Sequence, residues 1–239
     1  MYKFECEICG KCCTPLSLSL YPWEKDLFEN LPWFNHDLNL FPQIRIGINE
    51  LEIQTNFMLN GNFTCPYLQG NSCKIHHKKP IACKAFPMKY DITRLHDYPA
   101  LKVYGMSSDI CVGKWGSLTP NPIELFGKQE MIHFSDMFPE VVQKWAAVNA
   151  RLNAIENLAV VGLMSLGGFE LGISESTKGK LKVMDVFQYM VESEILPVEF
   201  KKNIKNQSVD VLIMFLDDCY KSMEKKWVVS FGKNGYLFK

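Results

Sequence analysis

The sequence predicts an α+β fold, with a small cysteine-rich module of short antiparallel strands over residues 1–118 and a mainly helical region over residues 119–239. Three observations predict it. Apolar residues in the first half alternate with polar ones, the two-residue period of a half-buried strand. In the second half they recur every three or four residues, the period of one helix face. Of the nine cysteines, all but Cys219 fall in the first half.

The strands come first. Leu16, Leu18 and Leu20 alternate with serines and predict a short strand. Trp23 to Leu31 predicts one or two helical turns opened by Pro22. Ile44, Ile46 and Ile48 alternate, as do Leu51, Ile53, Thr55 and Phe57, with Asn49-Glu50 as the turn between them. Asn60-Gly61 is a stronger turn signal ahead of Phe63. Residues 88–104 predict another pair of strands, and the cysteines are expected mostly in the connecting loops.

The helices follow. Val141, Trp145, Val148, Leu152, Ile155 and Ala159 mark one face of a long helix, with Pro139 in its first turn and Gly167-Gly168 at its end. Residues 185–195 predict a shorter helix stopped by Pro197. Val209, Leu212, Ile213, Leu216, Tyr220 and Met223 form the apolar face of a last helix, with Asp210, Asp217, Asp218 and Lys221 on its other side. Cys219 sits near that apolar stripe and reads as a buried, inert thiol.

Composition narrows the function classes. Hydrophobic residues make up 47% of the 239, aromatic ones 13%, and the formal net charge is zero. A neutral chain gives no long-range pull on phosphates, so no nucleic-acid partner is expected. The longest apolar run, Leu158 to Phe169, falls short of the roughly 18 residues of a membrane span and is interrupted by a serine and three glycines. The start, MYKFECEICG, has no apolar core of a secretory signal, so a cytoplasmic location is expected. In a reducing compartment clustered cysteines usually mean metal, and a disulfide framework is the weaker reading.

The first cluster is Cys6, Cys9, Cys12 and Cys13. Two-residue gaps let a short loop turn its thiolates inward, and Gly10 permits the tight backbone this needs. Three cysteines at successive two-residue gaps also open the loop that wraps a cubane iron–sulfur cluster, though the cysteine-proline that completes that motif is absent. Cys13 follows Cys12 directly, and adjacent side chains on extended backbone point to opposite sides, so the two need not share a metal. The second group is Cys65, Cys73 and Cys83, with Cys111 beyond it. Eight thiols divide into two four-coordinate sites or into one cluster with supporting thiols, and spacing leaves the pairing open. His76 and His77 beside Cys73 read as a surface pair before Pro80, with a supporting role at the metal as the alternative. Lys78, Lys79, Lys84 and Lys89 form either a solvated face or an offset to thiolate charge.

At these residues the chain resembles a known family. Cys-x2-Cys-x2-Cys-Cys at Cys6 to Cys13 is similar to the signature of the CxxCxxCC, or YkgJ-type, zinc- or iron-chelating cysteine-cluster proteins. The block from Cys65-Pro66-Tyr67-Leu68 through Cys73-Lys74-Ile75-His76 to Pro80 and Cys83-Lys84-Ala85-Phe86-Pro87 is similar to that family's second block. The resemblance covers roughly residues 4–116. Lysines at 79 and 84 stand where relatives often carry arginine, which keeps charge but loses the planar fork for bidentate anions, and His76 stands where an aromatic is common.

The resemblance implies metal chelation and little more. Read with the spacing, it gives Cys6, Cys9, Cys12, Cys13, Cys65, Cys73, Cys83 and Cys111 as candidate ligands of a zinc ion or an iron–sulfur cluster, the latter of the 4Fe–4S type. Three roles stay open: a metal-binding accessory protein with a protein partner, an iron–sulfur redox protein, and an enzyme resembling the flagellin lysine methylases, which share a cysteine-rich start. Against the enzyme, Gly162, Gly167, Gly168 and Gly172 do not have the spacing of a nucleotide loop. The three-then-two cysteine spacing of radical S-adenosylmethionine enzymes is also missing. With eight thiols competing, a single nucleophilic cysteine is a poor assignment.

Overall fold

The computed structural model describes residues 10–14, 16–29, 39–42, 45–48, 51–55, 57–61, 64–86, 88–90, 103–106, 139–165, 171–172 and 182–232. Within them the fold is α+β, with short strands in small sheets and several helices. In chain order the strands are β1 (Leu16–Leu20), β2 (Asn39–Pro42), β3 (Arg45–Ile48), β4 (Leu51–Gln54), β5 (Phe57–Gly61), β6 (Leu68–Gln69), β7 (Ser72–Cys73), β8 (Met88–Tyr90), β9 (Val103–Met106), β10 (Leu171–Gly172) and β11 (Lys182–Asp185). They build a three-stranded sheet β1-β5-β2, a four-stranded sheet β10-β3-β4-β11, and the pairs β6-β7 and β8-β9. The chain forms two compact units, residues 1–18 with 59–150 and residues 19–58 with 151–239.

In the second unit, β3 and β4 pair antiparallel with Ile48 opposite Leu51, and the expected turn at Asn49-Glu50 lies outside the described residues. Ile53 of β4 is fully buried, so the alternation does aim one face inward. The alternating run does not continue as one strand to Phe57, because β4 ends at Gln54 and β5 starts at Phe57. Asn60 and Gly61 are the last residues of β5 and not the turn their dipeptide predicts. A sheet partner on each side, β1 and β2, supplies backbone hydrogen bonds that outweigh the local turn preference.

β11 pairs parallel to β4, from Lys182 opposite Leu51 to Asp185 opposite Gln54. Asp185 then caps the helix Val186–Glu192, its Oδ1 accepting from the backbone N–H of Gln188 at 2.7 Å. That helix ends at Ser193, before Pro197, and the chain leaves it through Glu194 at φ 58°. A helix at Phe200–Asn206 and the long helix Val209–Gly232 follow.

Their inner faces hold the core. Val186, Phe187, Met190, Phe200, Leu212, Leu216 and Met223 are buried. Trp23 stacks on Tyr21 at 5.0 Å between centroids and meets the edge of Phe187 at 4.9 Å, and Phe187 stacks on Phe200 at 5.6 Å. Such aromatic pairs add to the burial that already favours this packing.

The helix Glu140–Ser165 begins after Pro139, as its sequence predicts, and ends short of Gly167-Gly168, which lie outside the described residues. Val148, Leu152, Ile155 and Ala159 are buried on its face, whereas Val141 in the first turn is 57% exposed. Arg151 reaches Asp217 through two bonds, Nε to Oδ1 at 2.9 Å and Nη2 to Oδ2 at 3.2 Å. This bidentate geometry fixes the planar guanidinium against the carboxylate. Among the described residues no helix is long and apolar enough to cross a membrane.

Candidate metal centre

The cysteines of the first unit sit on short ordered elements more than in loops. Cys12 and Cys13 lie in a 3-10 turn, Lys11–Cys13; Cys73 ends β7; and Cys83 is in the helix Ile81–Ala85. Among the described cysteines only Cys65 lies between elements. Each element is too short to persist alone, so each needs a neighbour to fix it. Cys6, Cys9 and Cys111 lie outside the described residues.

Gly10 opens the first turn. Its φ is +70°, and a Cβ there would meet both methyls of Leu68 at 3.2 Å. A side chain is therefore disfavoured twice, by the left-handed backbone and by contact with β6. The carbonyl of Gly10 accepts from the N–H of Cys13 at 2.9 Å, which closes the turn. The carbonyl of Cys13 in turn accepts from the N–H of Cys65 at 2.8 Å, so a main-chain bond joins the two cysteine blocks. The hydroxyls of Thr14 and Thr64 meet beside it at 3.1 Å.

Sulfur follows backbone. Cys12 Sγ and Cys13 Sγ are 4.0 Å apart. The expectation that they point to opposite sides fails, because that rule belongs to extended backbone and these residues form a 3-10 turn. The Cys12 thiol is pushed far up, first by its contact with the Cys13 thiol and then by burial, while the charge of Lys79 pulls the other way. Cys13 is pulled down first by that contact, but the neighbouring Cys65 thiol and burial leave it raised to about 11. Cys65 is held below the usual thiol value, first by the Cys13 bond and also by the backbone of Tyr67, against its burial. Cys65 also feels both Cys83 and Cys73 as charged neighbours.

None of the described cysteines is in a disulfide. Of the sequence-predicted set, Cys12 neighbours Cys13, Cys13 neighbours Cys65 and Cys73, and Cys65 neighbours Cys73 and Cys83. Among the described residues no group of three cysteine, histidine or carboxylate side chains is already arranged to hold a metal. The donor chemistry suits a soft or borderline metal, with thiolates as the dominant ligand and a lysine nearby to offset their charge.

His76 and His77 are exposed on the 3-10 turn His76–Lys78 ahead of Pro80, the surface position their sequence predicts. Of the basic run, Lys79 acts on Cys12 and Lys84 lies over the ring of Trp145 at 4.0 Å. Sequence reasoning placed Trp145 only on a helix stripe. The signal for its contact with Lys84 is not local, since the two are far apart in the chain.

Cys219 is 3% exposed on the helix Val209–Gly232, and burial pushes its thiol up to about 12. It belongs to the core of the second unit, as its stripe predicts.

One main-chain bond thus ties the short segments that carry Cys13 and Cys65. Residues 5–111 match the model of the CxxCxxCC family, described as a "putative zinc- or iron-chelating domain". The chain is similar to that family over this segment, as the two cysteine blocks imply, and this ties the segment to zinc or iron chelation in general. No curated protein and no solved structure matches the chain.

Proposed function

We propose that this protein binds a metal through the thiolates of its N-terminal half, in an accessory or metal-handling role, and that Cys12, Cys13 and Cys65 serve one zinc ion together with Cys73 or Cys83. The observation that carries the choice of ion is the 4.0 Å between Cys12 Sγ and Cys13 Sγ. Two thiolates on one tetrahedral zinc lie about 3.8 Å apart, given Zn–S bonds of about 2.3 Å. Thiolates on separate irons of a cubane lie much farther apart. Bound zinc would act as a structural Lewis acid here, holding its ligands as thiolates. Described cysteines outside any disulfide suit a reducing cytoplasm, which is where this reading places the protein.

A second reading has its own support. The gaps among Cys6, Cys9 and Cys12 fit an iron–sulfur cluster, and Cys111 supplies a further thiol. That centre would carry electrons, or serve an enzyme of the methylase type.

Anaerobic purification with metal and acid-labile sulfide analysis separates the two. Zinc without sulfide supports the first reading, and iron with matching sulfide supports the second. Cys6→Ser, Cys9→Ser, Cys12→Ser and Cys65→Ser should each lower metal content. A chain that takes up neither metal, or four substitutions that leave stoichiometry unchanged, would sink the assignment.

A further inference from the structure

Cys83 occupies a helix of five residues, Ile81–Ala85, which cannot fix its own orientation. Its start is set by Pro80, whose carbonyl accepts from the N–H of Lys84 at 2.9 Å. Ile81 and Ala85 bury one side. On another side the ammonium of Lys84 lies 4.0 Å from the centroid of the Trp145 ring, well inside cation–π range. Trp145 stands in the second turn of the helix Glu140–Ser165, next to the buried Ala146 and close to the buried Val148. Successive helix residues are rotated by about 100°. Holding Lys84 against a ring therefore sets the rotation of the short helix about its axis, and with it the direction in which Cys83 presents its sulfur.

We infer that Lys84 and Trp145 form a clamp that positions Cys83, so that the first turns of the helix Glu140–Ser165 complete the cysteine domain although they lie beyond the segment that matches the family. The compact unit containing the cysteines runs to Ala150 and so includes Trp145. Lys84 and Trp145 are positioning residues, and the value of the clamp to metal binding rests on Cys83 being a ligand. Tryptophan is the aromatic best suited to hold a cation, and arginine would replace Lys84 in this contact.

The test uses the full chain. Trp145→Leu is the decisive variant, because it leaves the charge of Lys84 beside Cys83 in place. In reduced, metal-free protein, alkylation of each cysteine is followed by peptide mass analysis. Trp145→Leu and Lys84→Met should free the short helix and raise the rate at Cys83 by about two- to five-fold, the factor a surface cation–π contact supplies. The rate at Cys73, which lies on β7, should stay the same. Lys84→Arg should behave as the unaltered chain, and the double variant Lys84→Met/Trp145→Leu no worse than Trp145→Leu alone. In metal-loaded protein, transfer to a chelator should quicken by a similar factor. An unchanged rate at Cys83 in Trp145→Leu overturns the clamp, as does an equal rise at Cys73, which would mean general loosening. Failure of the unaltered chain to take up metal removes the metal reading, and the alkylation pattern then still decides the clamp.

Discussion

At the scale of single residues, Gly10 and Cys219 make opposite demands on the chain. Gly10 needs the freedom of a missing side chain, in a turn where φ is +70° and Leu68 stands 3.2 Å from the place of a Cβ. Gly10→Ala is expected to cost about 1 kcal/mol of unfolding free energy, since the left-handed region is closed to alanine. Chemical denaturation of the metal-loaded protein measures it, and an unchanged midpoint would show that the turn relaxes. The sequence announces this glycine clearly, because it stands between ligand-spaced cysteines. Cys219 is legible for a different reason, its place on a stripe at helical spacing. Its thiol is raised from 9.0 to about 12 by burial, and Tyr220 beside it from 10.0 to about 12, also by burial first. Both groups are neutral in the folded state and ionise more easily once unfolded. Their contribution to stability is therefore complete below about pH 9 and is lost as pH rises towards 12. Cys219→Ala should flatten the loss of stability over that range and keep full metal content. Loss of metal in that variant would contradict its place in the core. The relation between Cys12 and Cys13 was not legible, since sequence gives adjacency but not the 3-10 backbone that turns both sulfurs together.

At the scale of elements, what the sequence reveals depends on length and on the distance to the partner. The helices Glu140–Ser165 and Val209–Gly232 repeat their apolar period often enough to be read directly. The helix Phe200–Asn206 spans two turns and buries only Phe200 and Ile204, too little pattern to separate it from a loop. β11 is four residues long, and its parallel partner β4 lies far earlier in the chain, so no local hairpin signal exists. Its end is nonetheless a critical junction. Asp185 closes the pairing with Gln54, caps the helix Val186–Glu192 through Gln188, and accepts from Lys201 Nζ at 2.7 Å. Asp185→Ala removes the cap and leaves Lys201 without this carboxylate, and should cost about 1–2 kcal/mol. Asp185→Asn keeps the cap acceptor and should recover about half. Thermal unfolding of the three proteins tests this, and equal midpoints for the alanine and asparagine variants would mean that the cap contributes nothing.

At the scale of the whole molecule, the two kinds of region are held together by different forces. In the second unit, burial is extensive: Phe187, Met190, Phe200, Leu212 and Leu216 are all at most 1% exposed. Between residues 64 and 86 the only buried residues are Pro80, Ile81 and Ala85, while the thiols stay half-buried. So little apolar burial cannot by itself offset the conformational entropy of ordering such a segment. We propose that metal binding supplies the difference, by cross-linking the short elements that carry Cys12, Cys13, Cys65, Cys73 and Cys83. The module read from the sequence as residues 1–118 would then fold with its metal, and the helices from Val186 onward would fold largely without it. Trypsin provides the test, since Lys74 and Lys78 lie exposed in the cysteine segment, each followed by a residue other than proline. Under reducing conditions a chelator should open these bonds to cleavage quickly, while a fragment containing residues 182–226 persists. The loaded protein should resist at both places. If the metal-free chain is cut at Lys74 and Lys78 no faster than the loaded one, the short elements hold by packing alone and the metal does not take part in folding.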